Sequence, residues 1–438
     1  MALEQAKGLS SQQQTGKNLG LIELIAIALG GMVGGGIFTI LGISVDLIGV
    51  YTPLAILIGG ILAFFAAYSY VKLALYYQDE GATYSFFKKT FPQSPFAASL
   101  IGWWVIFGYI STLALYAYTF SAYAISAFSI ADNELIRKAV AGCILLLFTI
   151  VNLWSVKGMG KIEDVMVYSK LIILAFIAYV LLSNSQTTLP ELIQDNPQVS
   201  LFSILLVASL TFVAYEGFQL VINAVNETQA PEVNIPRAIY SALIIAIVIY
   251  VVIALGAIVA IPFDDIISNK EYALASGTES ILGHWGISVV IFGALLATSS
   301  AISGTIFGAS RQVAVIANDG YFPAILSKRK NHIPIYAIIS MSAFAFLLVC
   351  VGNLTVILEF GSVTFLLVSL LMAYANFKIR DLTDASYLLS ILAMICLFTG
   401  TALIFYYEWE HQPEQLFFII TLYLILTIAS WIFTKKHV

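Results

Sequence analysis

Charge is scarce in this chain. Lys and Arg number 20 and Asp and Glu 25 among 438 residues, so 10% of positions are charged, against about 25% in an ordinary soluble domain. A surface wet on all sides cannot be built from so few polar groups, which excludes a soluble globular protein of this length. The net charge of −5 gives no support to nucleic-acid binding, which needs a basic patch or stripe. Histidine is rarer still: His284, His332, His411 and His437 sit at the ends of apolar runs or between them, without metal-ligand spacing. The three cysteines, Cys143, Cys350 and Cys396, fall inside apolar runs with no CxxC. They read as buried small residues, with no disulfide frame or metal site implied. Residues 1–20 are polar and lack the apolar core of a cleavable signal peptide. Polar segments at 79–98, 184–200, 263–284 and 317–333 are all shorter than a domain. No attached catalytic domain and no cofactor are expected.

Apolar residues fill the space that charge leaves. They make up 60% of the chain, the mean hydropathy is +0.94, and they gather in runs at roughly 21–50, 53–77, 99–127, 138–156, 163–183, 201–225, 238–262, 285–315, 334–352, 354–375, 386–407 and 414–434. A helix needs about 20 apolar residues to cross a bilayer, so twelve crossings are expected, with both termini on one side. Arg137, Lys138 and Lys270 then fall on the opposite side and Lys170 inside a span, while the other sixteen of the twenty Lys and Arg share the side of the termini. That bias puts the termini in the cytoplasm. The basic cluster Lys328-Arg329-Lys330 needs no lipid-headgroup role beyond it. The expected fold is an all-α membrane protein: residues 1–20 a polar cytoplasmic N-terminus, and 21–434 a single polytopic unit of twelve transmembrane helices in the cell membrane.

Two spans carry interruptions. The first contains Gly30-Gly31-Met32-Val33-Gly34-Gly35-Gly36-Ile37-Phe38, where each glycine weakens a helix by about 1 kcal/mol relative to alanine. The spacing also fits a close helix-packing face, and both readings stand on spacing alone. The sixth span is interrupted at Ala214-Tyr215-Glu216-Gly217-Phe218, an acid beside a glycine. Spans one and six each open a five-helix set, and an odd number inverts the second set: 21–183 is a first repeat, 201–375 a second, and 386–434 holds helices 11 and 12. Paired interruptions at matching positions of two halves point to a transporter's substrate site. Unwinding exposes backbone N–H groups on one half-helix and C=O groups on the other, with partial charges that suit the two ends of a zwitterion.

The ordered motifs resemble those of the amino acid–polyamine–organocation transporters, with their five-plus-five inverted repeat and broken helices 1 and 6. Gly34-Gly35-Gly36-Ile37-Phe38 is similar to the first-helix signature. Gly81-Ala82-Thr83-Tyr84 is similar to the G-G-x-Y that follows the second helix, with Ala82 replacing a glycine. Asn152, Val156-Lys157, Gly160-Lys161 and Lys170 resemble the fourth-to-fifth helix pattern. Ala214-Tyr215 to Phe218, Asn226-Glu227, Pro231 and Asn234-Ile235-Pro236-Arg237-Ala238 resemble the sixth helix and its loop, and Arg311, Asp319-Gly320, Pro323 and Pro334 the loop after the eighth. The resemblance covers residues 20–380. It implies amino acid uptake by alternating access, helices 1, 2, 6 and 7 rocking against 3, 4, 5, 8, 9 and 10.

What the resemblance implies can be carried over residue by residue. Gly34, Gly35 and Gly36 would present N–H groups to a substrate carboxylate, with Val33 and Ile37 beside them in the substrate site. Ala214, Tyr215 and Glu216, next to Gly217, would offer carbonyls to its ammonium, with Phe218 or Tyr215 capping the side chain. Glu216 stands where relatives mostly carry an apolar or small residue, which leaves open whether the substrate is neutral, broad-range or cationic. Lys170 lies within Val165–Ser183, an apolar run with no other charge, where insertion costs about 2.5–3.5 kcal/mol at the middle of a membrane helix. It reads as a snorkelling lysine, a structural ion partner, or an ammonium in the place where sodium-coupled relatives hold an ion, facing Ser299, Ser300 and carbonyls near Val33. The last reading makes it a proton switch, since burial disfavours the charged form of a lysine, and the proton a coupling partner beside the amino acid and the bilayer. Glu359, early in the tenth span, reads as facing an outer vestibule or a neighbouring helix. Glu23 fits either an inner gate or an interfacial acid. A membrane enzyme would cluster His, Asp or Ser/Lys at one depth, and no such pairing occurs. An exchanger remains an alternative to a symporter.

Overall fold

The computed structural model describes residues 19–128, 133–154, 156–195, 199–269, 272–330 and 333–435. Residues 1–18 of the expected N-terminal segment lie outside the described residues, as do Lys270, His332, Lys436 and His437 and the side chains of Lys157, Lys161 and His284. Among the described residues the structure is helical, with two isolated backbone bridges and no strand.

The helices in chain order are α1 Leu21–Met32, α2 Gly36–Ile48, α3 Thr52–Tyr77, α4 Ala82–Thr90, α5 Pro95–Ile125, α6 Glu134–Trp154, α7 Val156–Ser183, α8 Leu189–Asp195, α9 Leu201–Leu210, α10 Pro231–Ala260, α11 Phe263–Ser268, α12 Ala273–Asn318, α13 Ile335–Val351, α14 Leu354–Lys378, α15 Arg380–Thr383, α16 Tyr387–His411 and α17 Pro413–Lys435. Two 3₁₀ segments, Thr211–Tyr215 and Phe218–Glu227, follow α9. Among the described residues nine stretches are long and apolar enough to cross a membrane, one of them covering both α2 and α3, and α1 and α13 are shorter apolar helices.

Local chemistry sets the ends. Pro53 opens α3, where its missing N–H costs nothing. Asn353 caps α14 by accepting from Val356 N at 2.8 Å, and Ser200 caps α9 through Ser203 N at 3.0 Å. Glu23, open between two sequence readings, accepts from Gly20 N at 3.0 Å and closes the start of α1 as a cap. Gly283, at φ 62, breaks the long α12.

Packing follows the small residues. A methyl at Gly59 of α3 would fall 2.8 Å from Ala208 O, and one at Gly60 would fall 2.4 Å from Ile247. Close backbone approach of this kind replaces the hydrophobic drive that lipid removes. α5 and α12 lie against each other at the centre, and α1, α3 and α7 pack on α10. The cysteines correct the sequence reading: Cys143 and Cys350 are exposed and Cys396 half-exposed. They sit on outward faces of apolar helices, where hydropathy alone cannot tell a lipid-facing position from a buried one.

Candidate functional site: two interrupted helices and a buried lysine

The chain leaves helical winding at Val33–Gly35, between α1 and α2. Val33 adopts φ −83, ψ 73. Gly34 N donates to Met32 O at 2.9 Å, and the first bond of α2 runs from Thr39 N to Gly35 O. The N–H groups that precede that bond are the unsatisfied donors of a helix start, and they belong to Gly36, Ile37 and Phe38. The second interruption is at Glu216, which is extended (ψ 141), and Gly217, at φ 124 and ψ −20.

The two interruptions touch. A methyl on Gly36 would meet Ala214 Cα at 2.9 Å, and one on Gly217 would meet Gly31 C at 2.5 Å. Gly34 and Gly35 are equally crowded by Tyr116, Ala301 and Thr119. The glycine run thus packs closely and is unwound as well, so the two sequence readings of its spacing are both realised. Val33, Ile37, Ala214, Tyr215, Glu216, Gly217 and Phe218 are all buried.

Side chains from three helices cap the four carbonyls at the end of α1. Lys170 Nζ donates to Val33 O at 2.7 Å and Gly30 O at 3.2 Å. Tyr116 of α5 donates to Gly31 O at 2.8 Å, and Tyr250 of α10 donates to Met32 O at 2.8 Å and Ala214 O at 3.2 Å. Lys170 is fully buried and also donates to Ser300 Oγ at 3.2 Å, with Ser299 half-buried beside it. Two carbonyls and a hydroxyl are oxygen ligands of the kind a hard monovalent cation takes, here turned on an ammonium.

Around the second interruption, Tyr215 donates to Ile56 O at 2.8 Å, and Phe218 meets Tyr70 edge-on at 5.5 Å. Gln219 Nε2 donates to the Glu216 carboxylate and Gln219 Oε1 accepts from Gly217 N at 3.1 Å. The other carboxylate oxygen, Glu216 Oε1, is buried and has no hydrogen-bond partner. Sequence reasoning missed Tyr116, Tyr250 and Gln219. Gln219 carried a signal, three residues after a buried acid, whereas tyrosines in apolar spans give none.

A polar network closes the end of the bundle that carries α4. Tyr84 and Lys88 both donate to Asp319 Oδ2 at 2.8 Å, and Asn226 Nδ2 donates to Glu80 at 3.5 Å. Asp79 pairs with Lys89 and accepts from Gly81 N at 2.8 Å. Burial alone would push the Asp79 carboxyl up; the Lys89 ammonium, the Gly81 N–H and the Ser85 hydroxyl outweigh it and hold the group below its ordinary value. Leu19 N donates to Glu227 O at 3.1 Å and Gln229 N to Leu19 O at 2.9 Å, tying the entry to α1 to the exit from the second 3₁₀ segment.

Helices of this kind, interrupted in pairs around buried backbone groups, are those of secondary transporters. The chain belongs to the amino acid permease family, which it matches over residues 19–430. It is 26% identical to the inner membrane transport protein YbaT of Escherichia coli over 96% of this chain and 97% of that one. The branched-chain amino acid permease BcaP of Bacillus subtilis is 24% identical over 86% and 84%. The chloroplastic cationic amino acid transporter 7 of Arabidopsis thaliana is 26% identical over 92% and 72%. The chain is an integral, multi-pass amino acid transporter of the amino acid–polyamine–organocation group, and the comparisons point away from an enzyme.

Proposed function

We propose that the protein imports neutral or broad-range amino acids across the cell membrane as a proton-coupled symporter. It works by alternating access, with twelve crossings, cytoplasmic termini, a five-plus-five inverted repeat (21–183 and 201–375) and two further helices at 386–434. The single observation carrying the reading is the Lys170 ammonium on Val33 O, Gly30 O and Ser300 Oγ. A charge held by the interrupted end of α1 stabilises that end while protonated and releases it when the proton leaves. The substrate carboxylate is assigned to the N–H groups at Gly35–Phe38 and its ammonium to carbonyls of Ala214–Glu216. Loss of the Lys170 proton toward the cytoplasm would loosen the interruption and open the path inward.

Uptake into proteoliposomes tests the coupling. Wild type is expected to concentrate substrate under an inward proton gradient without sodium, and Lys170→Ala to lose the pH response. Sodium-driven uptake at constant pH overturns the reading, as does an intact pH response in the variant. Exchange in place of symport would show as counterflow that needs no gradient.

A cationic substrate is a second reading, favoured by the unpartnered Glu216 Oε1 and the cationic name of one relative. A ligand that binds only the folded state raises its melting temperature, so a panel of amino acids and polyamines separates the two. Stabilisation by arginine or lysine, lost in Glu216→Gln, selects the cationic reading.

A further inference from the structure

A second set of buried acids lies away from the interrupted helices. The buried face of α16 reads Ser390, Ala393, Leu397, Gly400, Thr401, Ile404, Glu408, a stripe at helical spacing whose last member alone is ionisable. Glu408 is fully buried and both its carboxylate oxygens lack a hydrogen-bond partner. On α14, Glu359 is 1% exposed and its Oε2 has none either.

Register brings the two to nearly the same level of the bundle. α14 and α16 pack along each other, and a methyl on Gly400 would lie 3.5 Å from Leu366 Cδ2. The helices run antiparallel, so going eight residues forward from Gly400 and seven back from Leu366 covers about 12 Å and 10.5 Å in the same direction. Those steps end at Glu408 and Glu359.

Two carboxylates stripped of water at one level of the bundle are costly to ionise together without a compensating cation. Among the described residues no group of three His, Cys, Asp or Glu is suited to a metal ion. The other ionisable groups nearby are Tyr423 of α17, whose hydroxyl is shared with Thr364 at 2.8 Å, Tyr407 of α16 and Asp46 of α2. None of these brings a positive charge. A cavity lined by Leu47, Ser203, Tyr407, Glu410 and His411 opens beside Tyr407, the residue before Glu408.

We infer that Glu359 and Glu408 form a proton-binding site that keeps at least one of the two carboxyls protonated. The site is reached from the end of the bundle that carries the α2–α3 turn and is separate from Lys170. The proton comes from bulk water and forms an O–H bond on one of the two carboxylates. The site spans α14, within the expected second repeat, and α16, outside it.

The test uses full-length protein in nanodiscs. Infrared difference spectra across a pH titration should show a carboxylic-acid C=O band that Glu359→Gln and Glu408→Gln each remove. Stability gives an independent readout. A proton held in the fold and released on unfolding favours the fold at low pH and ceases to as pH rises. Wild type should therefore lose melting temperature toward alkaline pH, while Glu408→Gln should lose less over the same range and be the more stable at the alkaline end. A band and a melting profile unchanged in both variants overturn the proposal. So does sodium or calcium raising the wild-type melting temperature at fixed pH with no effect in Glu408→Gln, since that marks a metal site. The infrared band is separate from Lys170, and the melting comparison is between proteins that all keep Lys170, so both stand whatever becomes of the role given to it.

Discussion

At the scale of single residues, glycine and tyrosine divide the work at the interruptions. Gly217 holds φ 124, and a methyl there would lie 2.5 Å from the Gly31 backbone. Backbone strain of this kind costs about 1–3 kcal/mol and the clash adds to it. Gly217→Ala is therefore expected to melt well below wild type in detergent, whereas Gly283→Ala meets only the strain, since nothing lies within 4 Å of the added atom. Equal losses in the two would show that contact between the interruptions is not what makes Gly217 costly to replace. The glycines and Lys170 were legible because each is an anomaly in an apolar run. The capping tyrosines Tyr116 and Tyr250 were not. A tyrosine in a span satisfies its hydroxyl wherever the fold puts a carbonyl, and the sequence does not say where that is. Glu408 was passed over because it lies at the edge of its run, where an acid usually means interface; only the stripe of Ala393, Leu397 and Ile404 on the same face marks it as buried.

At the scale of elements, long apolar runs translate directly into helices, because a lipid environment leaves the backbone no other partner. Winding inside a run is harder to read. Phe218–Glu227 is 3₁₀ over ten residues, and nothing in Phe-Gln-Leu-Val-Ile-Asn-Ala-Val-Asn-Glu separates that from an α-helix. It follows from tertiary contact: Leu220 packs on Gly31 and Gly308, and the segment stretches to keep both. Short α4 is governed instead by its ends. Asp79 holds Gly81 N and Lys89 together across the turn that starts it. Its carboxyl stays ionised below the usual range, so its contribution is present at neutral pH and is lost as pH falls through the lowered value. Asp79→Asn should cost about 1 kcal/mol at neutral pH and nothing once wild-type Asp79 is protonated. Melting curves of the pair should therefore converge in acid, and a gap that persists there would count against the charge as the cause.

At the scale of the whole molecule, the permease family match runs over residues 19–430, and α1, α3 and α7 pack on α10 within it. Two groups of polar contacts lie where helices are interrupted and at the end that carries α4. The bridge between Leu19 and Thr228 belongs to the second group and has a mechanical meaning. It welds the lead-in of the first interrupted helix to the tail of the second, so under the proposed alternating access the two would move there as one part. Any motion that parts them must first break two backbone hydrogen bonds, whereas a motion that carries them together breaks none. A disulfide between Leu19→Cys and Thr228→Cys should leave proteoliposome uptake close to wild type in both oxidised and reduced forms. Arrest on oxidation would mean that the joint opens in every cycle and works as a hinge rather than a weld.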